Sequence, residues 1–572
     1  MSIFFDWRSL ALGLLLTGAA GFAPASSAKQ VPQAVTASQR PGHAAIASAN
    51  FLATRAGLEV LRKGGNAFDA AVAVAATLSV VEPESSGIGG GFMAVLHRAS
   101  DGRNVFIDAR ETAPAAVDPK VYLKPDGSPN RDTALTGPLS AGIPGEPAGL
   151  ALLAKDYGRL SLQQSLAPAI RIARDGFVPD PRLHGAIVSE QKLLERWPAS
   201  AAKYLVNGQP PAQGATWRDP DQASTLEALA RHGHDGFYRG EVARKLVDAV
   251  RAAGGNWTLA DLAAYQAKER TPISVDYRGY QVITAPPPSS GGVAIAEILN
   301  ILSGYDLTKM DASTRVHYVV EAMRRAFRDH NDYLGDPDFV KMPLDMLLSP
   351  YYADGLRQSI LPDRATPSSM LPRAEPADAG MHTTHFSIID ADGNMAAVTL
   401  TVNTTLGSKF VAAGTGVLLN NEMDDFALVP NKPNVYGLLG SKANAPVGGK
   451  RMLSSMSPSI VIGPERTLVI GSPGGSTIIT QVLEGILHFI DGQDAQQIVA
   501  HKRFHHQYLP DVLMTEPQAF DAGTEAALTR MGYSLKQREP WGFMNVVTWD
   551  RKTNQLDAAS DPRRPSGLGQ VQ

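Results

Sequence analysis

The hydrophobic pattern of the chain changes character at Thr383. Residues 362–382 read PDRATPSSMLPRAEPADAGMH, a Pro-, Ala- and Asp-rich run that predicts an exposed linker. Beyond it, residues 385–389 and 395–402 read as strands, with Asp392-Gly393 supplying the turn. Strands are expected again at 414–419, 459–462 and 467–470, followed by a helix at 477–490. Before the linker, helical patterns dominate. Residues 50–62 and 66–80 read as two helices, the second capped by Asn66 and apolar nearly all round, hence buried. Strands are expected at 92–97 and 104–108, and a glycine- and proline-rich loop at 136–149. Residues 150–270 are mostly helical in pattern, a loop at 284–292 leads into a helix at Val293, and Val316, Val319, Val320, Met323 and Phe327 recur at helical spacing. Layered sheets with helices outside are the simplest closure for such a chain.

The 572 residues include 44% hydrophobic and 19% charged ones, enough apolar material for a large core. A disordered or fibrous chain is thereby excluded. Lys plus Arg is 53 against 56 Asp plus Glu, a net charge of −3 that argues against a nucleic-acid binder. With no cysteine there is no disulfide, thiol nucleophile, Fe–S cluster or Cys-type zinc site. At the N-terminus, Arg8 precedes the apolar run 10–16, and Ala25-Ser26-Ser27-Ala28 offers small residues for a signal-peptidase cut. Residues 1–28 therefore read as a secretory signal peptide. The run is shorter than the ~20 residues a membrane span needs, which disfavours an anchor. Export places the mature chain in the periplasm or, alternatively, in the medium.

Several segments could carry chemistry. Gly87-Ile88-Gly89-Gly90-Gly91 lacks the G-x-G-x-x-G spacing and follows a helix, so a tight structural turn is the better account than a nucleotide site. Gly471 to Ser476 (GSPGGS) lies between a strand and a helix, where backbone N–H groups and the helix dipole suit a phosphate or an oxyanion; a plain turn is the equal alternative. If the chain were cut before Thr383, the new α-amine, with a pKa of roughly 7.7–8.0, would sit beside its own hydroxyl and could activate it. Taken locally, however, Thr383-Thr384 is ordinary strand sequence. Ser454 and Ser455 place two hydroxyls before a strand, and 420–426 (NNEMDDF) gathers three carboxylates that could grip an ammonium or a cation. A metal is disfavoured there because no further ligand has the expected spacing. His505-His506 point opposite ways on a strand and read as packed side chains. No G-x-S-x-G elbow appears.

Taken together, TTHFSIIDADGN, TLTVNTTLGS, LLNNEMDDF, PNVYGLLG, KRMLSSMSPSIV and GSPGGS, with KGGNAFDAA, IDARETAP, YLGDPDF and RFHHQYLPD, resemble the γ-glutamyltranspeptidase (glutathione hydrolase) family over nearly the whole mature chain. The resemblance implies an N-terminal-nucleophile hydrolase: an α+β protein with a four-layer αββα sandwich, formed jointly by a large subunit (29–382) and a small subunit (383–572). These would be released by autocleavage between His382 and Thr383 and stay together as a heterodimer. Scaling 60.8 kDa by length gives roughly 38 and 20 kDa.

Carried over by motif, Thr383 would be the nucleophile, held by Thr401, with Gly474 and Gly475 as the oxyanion hole. Arg110, Ser454 and Ser455 would bind the substrate α-carboxylate. Asn403, Glu422 and Asp425 would bind its ammonium. Tyr436 would be the gate of a lid at 433–444. No cofactor or metal is implied. The implied donors are glutathione and other γ-glutamyl compounds, and the implied acceptors are water, amino acids or dipeptides. Glu422 stands where some bacterial members carry glutamine, and Ala500-His501-Lys502 departs from the pattern without an assigned role. Two alternatives stay open. One is a glutaryl-type cephalosporin acylase of the same fold, which would need no ammonium grip. The other is a non-catalytic periplasmic homologue that binds γ-glutamyl compounds.

Overall fold

The computed structural model describes residues 40–371 and 383–572. The expected signal peptide, His382 and residues 372–381 of the linker lie outside the described residues.

Two antiparallel sheets form the centre. One has seven strands in the order Leu568–Val571, Ala45–Ser48, Thr384–Ile389, Met395–Thr401, Gly91–Arg98, Arg103–Ala109 and Lys268–Arg270. The other has six, in the order Gln555–Ser560, Asn545–Asp550, Arg466–Gly471, Ser459–Ile462, Tyr280–Thr284 and Ile273–Tyr277. Each sheet mixes strands from before and after the linker, so neither segment can close a core alone.

Side-chain parity along each strand decides which core a residue joins. Phe386 and Ile388 pack with Val72 and Val74 of a helix on the outer face of the first sheet. Their neighbour Ile389 joins Val469 and Val547 of the facing sheet. The same parity separates Ala94 and Leu96 from Met93 and Val95. The helix of that outer layer, Ala67–Val81, is buried along its whole length because Leu162–Asp175 covers its far side, which accounts for its uniform apolarity. Asn66 caps it through a capping box with Asp69. Gly291–Leu302, Ala312–Tyr333 and Thr477–Ile490 form the layer outside the second sheet. The architecture is the expected αββα sandwich. Among the described residues no helix is long and apolar enough to cross a membrane.

Four expectations change in detail. Of residues 414–419 only Val417–Leu418 is strand, paired with Val411–Ala412 just before it, because the Thr415 N–H turns back to the Ala412 carbonyl. The loop at 136–149 already contains the start of the helix Glu146–Asp156, since Pro147 sits in its first turn, where a missing N–H costs nothing. The helix expected at Val293 starts at Gly291. The first part of the linker is mostly exposed, as expected, but it is pinned at Ser368, which is buried: its hydroxyl donates to the Tyr508 carbonyl at 2.6 Å, and its N–H donates to Asp511 at 2.7 Å. The glycine loop 87–91 is a structural turn. Asn420 donates to the Gly89 carbonyl, and a side chain on Gly90 would run into the Thr401 backbone. His505 and His506 are both buried and turn to different partners, Thr480 with Gln507 and Asp511.

Candidate active site

The first sheet brings the nucleophile candidates together at one end. Thr383 stands one residue before the strand Thr384–Ile389, and Thr401 ends the neighbouring strand. Thr384 pairs with Leu400, so the next step along the register sets Thr383 opposite Thr401. The Thr383 hydroxyl donates to Thr401 Oγ1 across 3.4 Å, and the same oxygen accepts the Asn403 N–H at 2.7 Å. Both threonines are buried. Arg110 follows the end of the strand Arg103–Ala109, two strands further across the sheet.

The second sheet supplies the loop opposite. Arg466–Gly471 ends in Ser472-Pro473-Gly474-Gly475, which opens the 14-residue helix Thr477–Ile490. Gly474 and Gly475 have φ of 142° and 57°, conformations that a side chain resists. Their N–H groups donate to no other described residue, and the helix dipole adds partial positive charge at this end. Gln481 braces the loop, donating to the Pro473 carbonyl at 2.9 Å and accepting the Ser472 hydroxyl at 2.7 Å. Two unspent, fixed donors at a helix start are what a developing oxyanion needs.

The charged residues are wired to one another. Arg110 lies 2.7 Å from Glu422, 2.5 Å from Asp425 and 3.5 Å from Glu111, with all four side chains largely or fully buried. Burial opposes the guanidinium charge, yet Glu422, Glu111 and Asp425 together hold Arg110 above its ordinary pKa. Burial pushes Glu422 and Glu111 up to about 7 against the pull of Arg110. Asp425 is raised well above the usual carboxylate range by burial and by Glu422. Three carboxylates and one guanidinium thus share a buried space in which an additional cation would be welcome. Ser454 and Ser455 are held beside Arg110, whose Nε and Nη2 donate to the carbonyls of Met452 and Leu453 at 3.3 Å each.

The segment 433–444 closes over this cluster. The Tyr436 hydroxyl donates to the Asn403 carbonyl at 2.7 Å, and its ring packs so closely on Gly475 that no Cβ fits there. Asn434 accepts the Tyr436 N–H at 3.0 Å and donates to Asp425 at 3.3 Å. The Val435 N–H donates to Asp424 at 2.8 Å, and Asp424 pairs in turn with Arg131.

One cavity is lined by Thr383, Thr401, Arg110, Asn403, Glu422, Asp425, Ser454, Ser455, Tyr436 and Gly475. Gly474 is not among the residues that line it, and His382 lies outside the described residues. Sequence reasoning passed over Glu111, although it follows Arg110 directly in IDARETAP. It also passed over Asn420, whose Oδ1 accepts the Glu422 N–H at 3.0 Å. Asn434 and Asn444 were inside quoted motifs without a role. His330, which also lines the cavity, gave no local signal.

A γ-glutamyltranspeptidase family model matches residues 53–571. The chain is 43% identical over 537 residues to the glutathione hydrolase proenzyme of Pseudomonas sp. (strain A14), covering 91% of this chain and 93% of that one. It is 41% identical over 573 residues to the glutathione hydrolase proenzyme of Escherichia coli (strain K12), covering 98% of each. The chain belongs to the γ-glutamyltranspeptidase family. It is an enzyme of that family and carries the N-terminal-nucleophile hydrolase fold. Among solved structures, a cephalosporin acylase from Bacillus halodurans superposes with a TM-score of 0.80 at 28% identity, covering 96% of this chain and 99% of that one. The γ-glutamyltranspeptidase of Helicobacter pylori gives a TM-score of 0.54 at 38% identity, over 56% of this chain and 92% of that one.

Proposed function

We propose that this γ-glutamyltranspeptidase, exported and cut before Thr383, cleaves the γ-glutamyl amide of glutathione and related donors. The Thr383 hydroxyl attacks the γ-carbonyl while its free α-amine takes the proton. The resulting oxyanion meets the Gly474 and Gly475 N–H groups. The tetrahedral intermediate collapses, the α-amine hands its proton to the leaving amine, and a γ-glutamyl ester remains on Thr383. Water or the amine of an amino acid or dipeptide then attacks that ester, restoring the hydroxyl. The two fragments remain one body, because each sheet needs strands from both.

The observation that carries the reading is the internal pairing of Arg110 with Glu422 and Asp425. A zwitterionic γ-glutamyl group exchanges these pairs for better ones: its carboxylate takes Arg110 with Ser454 and Ser455, and its ammonium takes Glu422, Asp425 and Asn403. A glutaryl group has the carboxylate alone. It would draw Arg110 away and leave two buried carboxylates without a cation, at a cost of several kcal/mol. The pocket therefore favours γ-glutamyl over glutaryl donors, despite the close fold match to a cephalosporin acylase.

The test compares glutamate release from a chromogenic γ-glutamyl anilide, with and without glycylglycine, against the matching glutaryl anilide. Turnover of the first with little of the second is expected. Equal turnover of both would defeat the ammonium grip. On a denaturing gel the protein should give two bands and Thr383→Ala one, and N-terminal sequencing of the lighter band should read Thr-Thr-His-Phe. An active preparation that runs only as a full-length band would refute the mechanism.

A further inference from the structure

The head-group residues and the lid use all but two of the polar side chains around the cavity. Asn434 is spent on Tyr436 and Asp425. Asn444 donates to the Asp425 carbonyl at 2.7 Å and accepts the Leu453 N–H at 3.0 Å. His330 and Lys432 are left.

His330 lies near the end of the helix Ala312–Tyr333 and is 3% exposed. Its Nδ1 is 3.0 Å from Asn331 Oδ1, while its buried Nε2 has no partner among the described residues. Burial lowers its pKa to about 4, so the ring is neutral at physiological pH. With the proton on Nδ1, donated to Asn331, Nε2 presents a lone pair (this tautomer follows from the partner). An unpaired buried acceptor is costly unless a ligand or water completes it. Lys432 stands at the exposed rim of the cavity, and no carboxylate among the described residues lies within ion-pair distance of it.

We propose that His330 and Lys432 form the subsite for the peptide part beyond the scissile amide, in the leaving group and in the acceptor alike. His330 Nε2 accepts a peptide N–H, and the Lys432 ammonium attracts the terminal carboxylate. The inference rests on the γ-glutamyl reading and adds what that reading leaves unassigned: why a peptide on the far side of the bond would be preferred. A leaving group such as the dipeptide of glutathione offers both features, whereas an uncharged aryl amine offers no carboxylate. Lys432 is exposed, so its attraction is weak and screened by salt. His330 is buried, so its hydrogen bond is protected from water.

The experiment measures kcat and KM for glutathione and for an uncharged γ-glutamyl anilide, with wild type, Lys432→Gln, His330→Leu and His330→Gln. Lys432→Gln should raise KM for glutathione about two- to fivefold at low ionic strength, leave the anilide unchanged, and lose its effect near 1 M salt. His330→Leu should raise KM for glutathione and for glycylglycine as acceptor about three- to tenfold, and His330→Gln, which keeps an acceptor, should recover most of the loss. If His330→Leu does not fold, His330→Ala, which also removes the acceptor, takes its place beside the glutamine and Lys432 variants. Parallel changes on both donors, or no change on either, would overturn the proposal. A wild type that releases glutamate from neither donor overturns the γ-glutamyl reading itself.

Discussion

Replacing Arg110 with methionine keeps much of the side-chain volume and removes the one cation among Glu111, Glu422 and Asp425. In the wild type, Glu111 and Glu422 have folded pKa values of about 7 against an ordinary 4.5. The folded state therefore holds more protons than the unfolded one between about 4.5 and 7, and stability falls as pH rises through that window. A rise of this size corresponds to about 3 kcal/mol per group, with Arg110 already restraining both. Without Arg110 the two values climb further. At pH 5 the carboxyls are protonated with or without the arginine, so the variant should lose little stability. At pH 8 the wild type pairs ionised carboxylates with a guanidinium. The variant must either bury them unpaired or take protons against the solvent, so its deficit should approach 3–5 kcal/mol. Urea-unfolding midpoints of both proteins at pH 5 and pH 8 measure this directly, and the gap should open with pH. Turnover of a γ-glutamyl anilide should fall by ~10²-fold or more at either pH, because the α-carboxylate has lost its charged partner. A stability gap of the same size at both pH values would refute the pairing argument.

Glu422→Gln copies the protonated form. It should flatten the fall in stability between pH 4.5 and 7 by about 3 kcal/mol while keeping turnover within a few-fold, as unfolding midpoints and anilide kinetics would show. Gly475→Ala places a methyl group against the Tyr436 ring at φ 57°. It should lower kcat by ~10²–10³ through a displaced oxyanion donor, and adding Tyr436→Ala should relieve the clash yet recover only part of the rate. Tyr436→Phe removes the hydrogen bond to the Asn403 carbonyl and should loosen the lid at about 1 kcal/mol, read as a KM increase of about fivefold with kcat nearly unchanged.

Individual strands and helices were legible in the sequence where local pattern reports them, whereas the four-layer αββα order was what the family resemblance implied. The strand readings at 385–389 and 395–402, joined by the Asp392-Gly393 turn, fall on the strands Thr384–Ile389 and Met395–Thr401, and the uniform apolarity of 66–80 falls on the buried helix Ala67–Val81. Short elements were not legible where a tertiary partner decides them. Val411–Ala412 and Val417–Leu418 exist only as a pair, and Ser368 leaves the solvent only because Tyr508 and Asp511 receive it. The site shows the same division. Motifs named its residues, but the contacts among them join positions hundreds of residues apart, such as Arg110 to Glu422 and Asp425. Local spacing carries no information about such a contact, whereas the order of strands in the sheets does. That distance has a chemical consequence. Arg110 lies before the linker, and Thr383, Glu422, Asp425, Ser454, Ser455 and Gly475 lie after it, so the guanidinium proposed for the substrate carboxylate and the proposed nucleophile come from opposite sides of the expected cut. A cleaved protein keeps its recognition site only while the two sheets stay mixed. Conditions that separate the fragments should therefore abolish γ-glutamyl binding together with turnover, rather than leaving a slow but selective enzyme.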